Sequence, residues 1–160
     1  MKVVEILILV LSMVALSFAG AQAFSLYDGS GHKLGTFVYE NTVYVPSWKK
    51  LVWFDTNPTS SHFGNIMHQS IYFTETGCNG DAYVGSFWLT EYVLQNGNEY
   101  WTGSKTNTPA LSLSIKSALD TEGDCFVFVQ DLSSGWKMEP FVPKKIPFTL
   151  PLTFPLSVGP

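Results

Sequence analysis

The sequence contains no arginine, and charged residues of any kind are scarce. Nine lysines face 13 acidic residues, so the formal net charge is −4. Arginine supplies the planar fork that binds phosphates and base edges, and nucleic-acid-binding domains usually carry an excess of positive charge. An acidic chain without arginine is a poor candidate for nucleic-acid binding, and we exclude that class of partner.

Motifs that mark common catalytic and cofactor sites are also missing. The chain has neither a phosphate-binding loop that ends in Gly-Lys nor a Gly-x-Ser-x-Gly elbow around a nucleophilic serine. Paired carboxylates for glycoside hydrolysis could be drawn from several Asp and Glu residues, but the sequence selects none of them. We therefore predict no catalytic residue and no cofactor, and the sequence favours a non-catalytic protein over an enzyme.

Groups that could bind a metal ion occur in two places. His62 and His68 lie in one segment, with Asp55 before them and Glu75 after them. Imidazoles and carboxylates bind divalent ions, but this spacing is not diagnostic, and we interpret these histidines as surface or loop residues.

The second place is an acidic turn formed by Asp120, Glu122 and Asp124. Its oxygen atoms could hold calcium, but it lacks the length and the final Glu of an EF-hand loop. We interpret it as a solvated turn, and no metal site is predicted.

Long apolar runs are confined to the first 23 residues. Lys2 precedes an apolar stretch, which ends in the small residues of the triplet Ala21-Gln22-Ala23. This order predicts a secretory signal peptide over residues 1–23 and a mature domain over residues 24–160. The alternative is a retained membrane anchor, although Glu5 interrupts a stretch only just long enough to span a bilayer. We expect a protein that is secreted or lies in the periplasm or cell envelope, with no membrane span after signal removal.

Cysteine is scarce too, since Cys78 and Cys125 are the only two. Two thiols in an exported chain most often form one disulfide bond. The bond would close a loop of about 48 residues, and such a crosslink stabilises the fold by roughly 4 kcal/mol in the chain-entropy model. The Cys-x-x-Cys spacing of metal and redox sites is absent, so we predict a structural Cys78–Cys125 disulfide.

Aromatic residues, in contrast, are abundant, with 12 Phe, 7 Tyr and 5 Trp. Pleated sheets accommodate large rings well, so most of these residues are expected to fill a core. Some Trp or Tyr residues could instead lie exposed as stacking platforms for sugars. The candidates are Trp48, Trp53, Trp88, Trp101 and Trp136, which the sequence does not rank.

Apolar residues alternate with polar ones over many short segments, which is the pattern of half-buried strands. Turn signals such as Glu40-Asn41, Asn57-Pro58 and Asn96-Gly97 separate them. The pattern predicts one all-β domain, an antiparallel sandwich or flattened barrel of about 8–10 short strands. Predicted strands cover residues 34–39, 42–45, 51–54, 71–74, 82–88, 91–94, 111–116, 126–129 and 136–139, with a short one near residue 100. Residues 126–129 are apolar on both faces, which predicts a central strand.

The C-terminal segment over residues 146–158 alternates in an unusual way. Pro147, Pro151 and Pro155 occupy odd positions, while the even positions are apolar. Proline lacks an N–H donor and is tolerated at the edge of a sheet, so we predict an edge strand whose even residues enter the core. Alternatives are an extended polyproline-like tail, or strand addition to the sheet of another subunit.

Four segments resemble a group of short exported bacterial proteins to which no activity is assigned. They are residues 26–35, residues 44–47, the Tyr-Phe…Cys-x-Gly-x-Ala-Tyr-Val block over residues 71–84, and residues 147–152. The resemblance spans most of the mature chain. It implies a β-rich fold, a bacterial source and an envelope or extracellular location, and it carries no site residues.

These observations favour an exported, non-catalytic β module with a structural or interaction role, and the sequence does not identify its partner, for which a glycan and a protein are the two options. The first alternative is a module that binds glycans or small ligands through exposed Trp or Tyr, and the second is a hydrolase with an unrecognised site. A ligand binder should display Trp or Tyr beside polar side chains, whereas an enzyme should display a pocket with convergent carboxylates or histidines.

Overall fold

A computed structural model describes residues 23–85, 91–106 and 108–160. This part of the chain forms 11 strands and no helix, which confirms the predicted all-β class. The strands are β1 (Ser25–Tyr27), β2 (Lys33–Tyr39), β3 (Thr42–Val45), β4 (Lys50–Trp53), β5 (Ile71–Phe73), β6 (Ala82–Val84), β7 (Tyr92–Asn96), β8 (Glu99–Gly103), β9 (Pro109–Leu119), β10 (Cys125–Pro140) and β11 (Ser157–Gly159). The predicted signal peptide lies outside the described residues, among which no helix is long and apolar enough to cross a bilayer.

All of these strands belong to one continuous sheet, in the order β11-β1-β2-β3-β4-β7-β8-β10-β6-β5-β9. The pairings between the described strands are antiparallel, except that β4 and β7 run parallel. Two regions can be distinguished within this sheet. We call β11, β1–β4, β7 and β8 the meander sheet, and we call the strands β5, β6, β9 and β10 the ring.

The meander sheet packs one face into a core that the C-terminal tail completes. Val43, Val52 and Phe54 are fully buried there, because apolar residues at alternate positions of a strand share a face. Phe148 and Leu152 of the tail join the same core. The Phe148 ring lies 5.2 Å from the Phe54 ring in an edge-to-face arrangement, which is a favoured geometry for aromatic pairs.

The predicted edge strand over residues 146–158 is wrong in extent. Only Ser157–Gly159 forms a strand, and it pairs with β1 of the same chain. The preceding residues cross the core of the meander sheet, held by hydrogen bonds such as the one from the Leu152 amide to the Gly64 carbonyl, 2.7 Å long. Proline at every fourth position removes ladder donors, so the segment gains more by burying its even-numbered side chains than by pairing.

The ring closes because its four strands pair in a cycle. β9 and β10 form a long hairpin, β6 pairs with the far end of β10, β5 pairs with β6, and β5 pairs with β9 near the hairpin turn. Its core contains Ile71, Phe73 and Met138, together with Trp101 of the neighbouring β8. In the ring, strand pairing therefore encloses the apolar core, whereas in the meander sheet the C-terminal tail covers the core.

The predicted disulfide is confirmed. Cys78 and Cys125 are bonded, with an S–S distance of 2.09 Å and a Cα–Cα distance of 6.0 Å. The bond ties the β5–β6 loop to the first residue of β10. Ser117 of β9 supports the same loop, because its hydroxyl accepts a hydrogen bond from the Cys78 amide and donates one to the Glu75 carbonyl.

The prediction of a central strand over residues 126–129 is wrong. Val127 and Val129 are 77% and 80% exposed, and Leu111 on the partner strand is 73% exposed. The register shifts between Val127 and Gln130, so an extra residue interrupts the alternation there. In the described residues, β10 pairs on its second edge only near its C-terminal end, which leaves this part of the hairpin at the surface.

Candidate functional site

The five tryptophans fall into three groups. Trp48 and Trp101 are core residues, each only 7% exposed. Trp53 and Trp136 are half-buried, and Trp88 lies outside the described residues. The indole nitrogen of Trp48 donates to the Lys145 carbonyl at 2.8 Å, so this ring also anchors the tail. Among the tryptophans that the structure describes, the half-buried Trp53 and Trp136 are the candidates for a stacking platform.

Trp53 lies in an open groove of about 650 Å³, which we call the Trp53 groove. The other lining residues combine acids, amides, a hydroxyl and apolar side chains: Glu40, Asn41, Asp55, Thr56, Asn57, Met67, Phe154, Pro155 and Leu156. An aromatic side chain next to several polar groups is the arrangement we expected of a ligand binder rather than of a purely structural module.

The strand pattern accounts for the position of Trp53. It ends β4, between Val52 and Phe54, which are both fully buried. Consecutive side chains of a strand point in opposite directions, so Trp53 is turned away from its two core neighbours. Its backbone carbonyl accepts a hydrogen bond from the Met67 amide at 2.7 Å, which brings Met67 to the groove.

The tight turn between β2 and β3 supplies Glu40 and Asn41. Glu40 has a φ of 45°, a left-handed conformation that suits such a turn. The Asn41 side-chain amide donates to the Phe54 carbonyl and to the Thr56 hydroxyl. The turn is thereby fastened to the segment that follows β4, and the two stretches of chain form adjacent walls.

Asp55 is the most enclosed polar residue of the groove, with 9% of its surface exposed. Its Oδ1 accepts a hydrogen bond from the Asn57 amide at 2.9 Å. Among the described residues no donor is bonded to Oδ2. Backbone hydrogen bonds from Asp55 to Asn65 and from Gly64 to Asp55, both 2.8 Å, hold the residue in place.

The C-terminal tail builds the opposite wall of the groove. Phe154 stacks on Phe63 with the ring centres 4.3 Å apart, and Leu156 follows it along the wall. The same segment that completes the core of the meander sheet thus also shapes the groove.

The charge in the Trp53 groove has one sign. Glu40 and Asp55 are acidic, and none of the lining residues is basic. Tyr39 stands beside Glu40 at the β2–β3 turn and is 65% exposed. A hydrogen bond to the Glu40 carboxylate, with the charge of that group, raises the pKa of the Tyr39 phenol. The groove is therefore suited to polar or cationic ligands and disfavours anions.

A second concavity, of about 690 Å³, lies where the two cores meet. Its walls are mainly apolar and include Phe73, Trp101, Leu119 and Phe141. The indole nitrogen of Trp101 is buried and has no hydrogen-bond partner. Asn98, Glu99 and Tyr100 also line this concavity, so it too combines apolar walls with polar groups.

The two histidines noted in the sequence do meet, but not as metal ligands. Their rings stack in parallel 3.8 Å apart, with an interplanar angle of 6°. His68 Nδ1 donates to the Ile66 carbonyl at 2.7 Å, and His62 Nε2 lies 3.3 Å from a carboxylate oxygen of Glu122. A metal ion lies in the ring plane of each imidazole that binds it, so two stacked rings cannot share one ion. Burial, and then the proximity of His62, lower the pKa of His68.

The remaining sequence candidates occupy other places. Glu75 lies in the β5–β6 loop beside the disulfide. Asp120 Oδ1 accepts hydrogen bonds from the amides of Glu122 and Asp124, so these acids form a self-bonded turn. Among the described residues, no group of three His, Cys, Asp or Glu side chains is arranged to hold a metal ion.

Sequence reasoning identified Trp53 only as one of five candidates and missed its neighbours. Glu40-Asn41 and Asn57-Pro58 were predicted as turns, but a turn motif does not indicate which other turn will lie next to it in the fold. Searches against family models, curated proteins and solved structures find no match for this chain.

Proposed function

We propose that this protein is an exported, non-catalytic β module that binds a saccharide, or a small ligand of similar polarity, in the Trp53 groove. The observation that carries the proposal is the half-buried Trp53 ring beside Asp55, Asn41 and Asn57. A sugar ring has an apolar face that stacks on an indole, and its hydroxyl groups bond to amides and carboxylates.

Export is part of the proposal. It is supported by the signal-peptide pattern of residues 1–23 and by the disulfide, because such bonds persist in oxidising compartments. The resemblance to exported bacterial proteins points to the periplasm, the cell envelope or the medium. The N-terminal sequence of protein recovered from the culture medium or periplasm tests this part. A start at Phe24 supports it, and an intact Met1 on membrane-extracted protein contradicts it.

Ligand binding is tested by titrating the purified protein with neutral and charged oligosaccharides and following tryptophan fluorescence and heat. The substitution Trp53→Ala should weaken binding about fivefold or more, since loss of a ring on which a ligand stacks costs about 1–3 kcal/mol. Tyr44→Ala is the matched control, because Tyr44 is an exposed aromatic residue that does not line the groove. Equal binding by wild type and Trp53→Ala, with both proteins folded, contradicts the proposal.

The hydrolase alternative uses the same groove, because Glu40 and Asp55 are carboxylates. Chromatography of the oligosaccharides after prolonged incubation separates the two functions. Unchanged oligosaccharides that still bind support a binding module. Products that disappear with Glu40→Gln or Asp55→Asn support a glycosidase instead.

A further inference from the structure

We infer that the Trp53 groove selects ligands that carry a primary amine, such as oligosaccharides of unacetylated glucosamine, over neutral and acidic saccharides. This inference rests on the proposed saccharide-binding function and names the chemical class of its ligand. It comes from the distribution of charge and hydrogen-bonding capacity in the groove.

The groove brings two carboxylates together without a compensating cation. Glu40 enters from the β2–β3 turn and Asp55 from the segment after β4, and the lining residues include no Lys or His. The close contacts between basic and acidic side chains of the described residues involve Asp28, Glu122 and Asp81, so neither groove carboxylate has such a partner. A cationic ligand supplies the missing opposite charge, whereas an anionic ligand is repelled.

The burial of Asp55 distinguishes the Trp53 groove from an ordinary acidic surface. The residue is nine-tenths buried, and only its Oδ1 is bonded, to the Asn57 amide. The other oxygen has no donor among the described residues. An ammonium group carries three N–H donors and no acceptor, so it can donate a hydrogen bond to this oxygen without bringing another acceptor against it. Hydrogen bonds between charged partners are about twice as strong as neutral ones.

The aromatic residues favour the same ligand. Trp53 lines the groove, and the exposed Tyr39 stands next to Glu40. The face of an indole attracts a cation within about 6 Å of its centre, in addition to stacking on the apolar face of a sugar. An amino sugar can satisfy both interactions at once, since its ring stacks while its ammonium group reaches the carboxylates.

The decisive comparison uses four tetrasaccharides with similar chain length. They are the tetramers of glucosamine, N-acetylglucosamine, glucose and galacturonic acid, each titrated by calorimetry at mildly acidic pH and low salt. We expect the glucosamine tetramer to bind about tenfold more tightly than the acetylated and glucose tetramers, and galacturonate to bind least. The advantage of the amine should shrink as salt is added, because exposed charges are screened.

The residue-level test removes one carboxylate at a time. Glu40→Gln should reduce affinity for the glucosamine tetramer several-fold, and clearly more than it reduces affinity for the glucose tetramer. Glu99→Gln is the matched control, because it removes the same charge from an exposed residue outside the groove. Asp55→Asn tests the enclosed carboxylate in the same way, with its melting temperature recorded because its Oδ1 also supports Asn57.

The outcomes separate this inference from the function on which it rests. If neutral and amine tetramers bind equally and both depend on Trp53, the groove is a saccharide site but the selection for amines is wrong. If no tetramer binds in a way that depends on Trp53, both proposals fail. If Glu99→Gln weakens binding as much as Glu40→Gln does, attraction to the acidic chain as a whole explains the preference, and the inference is overturned.

Discussion

The meander sheet and the ring bury their apolar faces in different ways. Both contain strands whose apolar faces must be covered. In the meander sheet the tail provides the cover, and Val52 and Phe54 beneath it are fully buried. In the ring the strands pair in a cycle and a disulfide fastens the β5–β6 loop, while Val127 and Val129 of the hairpin remain exposed.

This difference teaches that the two regions depend on different kinds of interaction. The meander sheet depends on apolar burial by a segment that arrives last along the chain. The ring depends on strand pairing between distant residues and on a covalent crosslink. Changes at matched positions should therefore have unequal effects in the two regions, and the following predictions are arranged from the largest expected effect to the smallest.

Removal of residues 146–160 should have the largest effect. It takes Phe148 and Leu152 out of the core of the meander sheet, and each large buried side chain contributes about 2–5 kcal/mol. The expected loss of about 4–10 kcal/mol is comparable with the stability of a typical domain, about 5–15 kcal/mol, so the variant should lack a cooperative melting transition. The milder control removes only residues 157–160, which form β11 and the chain end, and should still melt cooperatively. Unchanged melting of the longer deletion would show that the tail does not hold this core.

Removal of the disulfide should be the next most damaging change. In the double variant Cys78→Ser and Cys125→Ser, the free energy of unfolding should fall by about 4 kcal/mol. Urea denaturation of the variant and of oxidised wild type measures the difference. Hydrogen exchange should show that amides of β5 and β6 lose protection before those of β2 and β3. Uniform loss of protection across both regions would contradict the assignment of the crosslink to the ring.

Acid should destabilise the fold at the stack of His68 on His62. The pKa of His68 is lowered by burial and by His62, while Glu122 and Asp55 oppose the shift. A lowered pKa means that folding favours neutral His68, so its contribution is present above about pH 6.5 and is lost as the pH falls through the folded-state value. The effect is under about 1 kcal/mol, because the ring is partly exposed.

The measurement is the melting temperature as a function of pH for wild type and His68→Gln. The wild type should lose stability between pH 7 and pH 5 more steeply than the variant does. His32→Gln is the control, because His32 is an exposed residue at the other end of the meander sheet. Parallel pH curves for wild type and His68→Gln would contradict the expected role of the stack.

The smallest effect is expected at the exposed hairpin. Val129→Thr should change the free energy of unfolding by less than about 0.5 kcal/mol, as surface substitutions usually do. The same change at the fully buried Val52 should cost about 1–3 kcal/mol, because it buries a hydroxyl group without a prepared partner. Thermal denaturation of both variants gives the comparison. A large loss at Val129 would show that this surface is covered in solution.

The local sequence pattern predicted where several strands lie, but it did not predict which of their apolar faces are buried by other segments. The predicted strand at residues 42–45 coincides with β3, and that at residues 71–74 extends one residue beyond β5. Residues 126–129 carry the same apolar signal as a core strand and yet reach the surface. Periodicity reports which residues can share a face, but another segment must arrive to bury that face, and a one-residue bulge changes which face it is.

The candidate site shows the same limit. Trp53 could be named from the sequence as a platform candidate, but so could Trp48 and Trp101, which are buried. Distinguishing them requires knowing that the tail packs on Trp48 and that the β2–β3 turn meets the segment after β4. Both contacts join residues far apart in the chain or on separate strands, and no local signal encodes them.

The sequence by itself determined the all-β class, the positions of several strands and turns, and the pairing of Cys78 with Cys125. These follow from composition, from the two-residue period of strands and from there being only two thiols. Tertiary structure alone decided where the tail lies, that the strands β5, β6, β9 and β10 close into a ring, and that Glu40 and Asp55 share a groove with Trp53. Such features depend on the free energy of long-range packing, which is a property of the whole chain and not of any short segment of it.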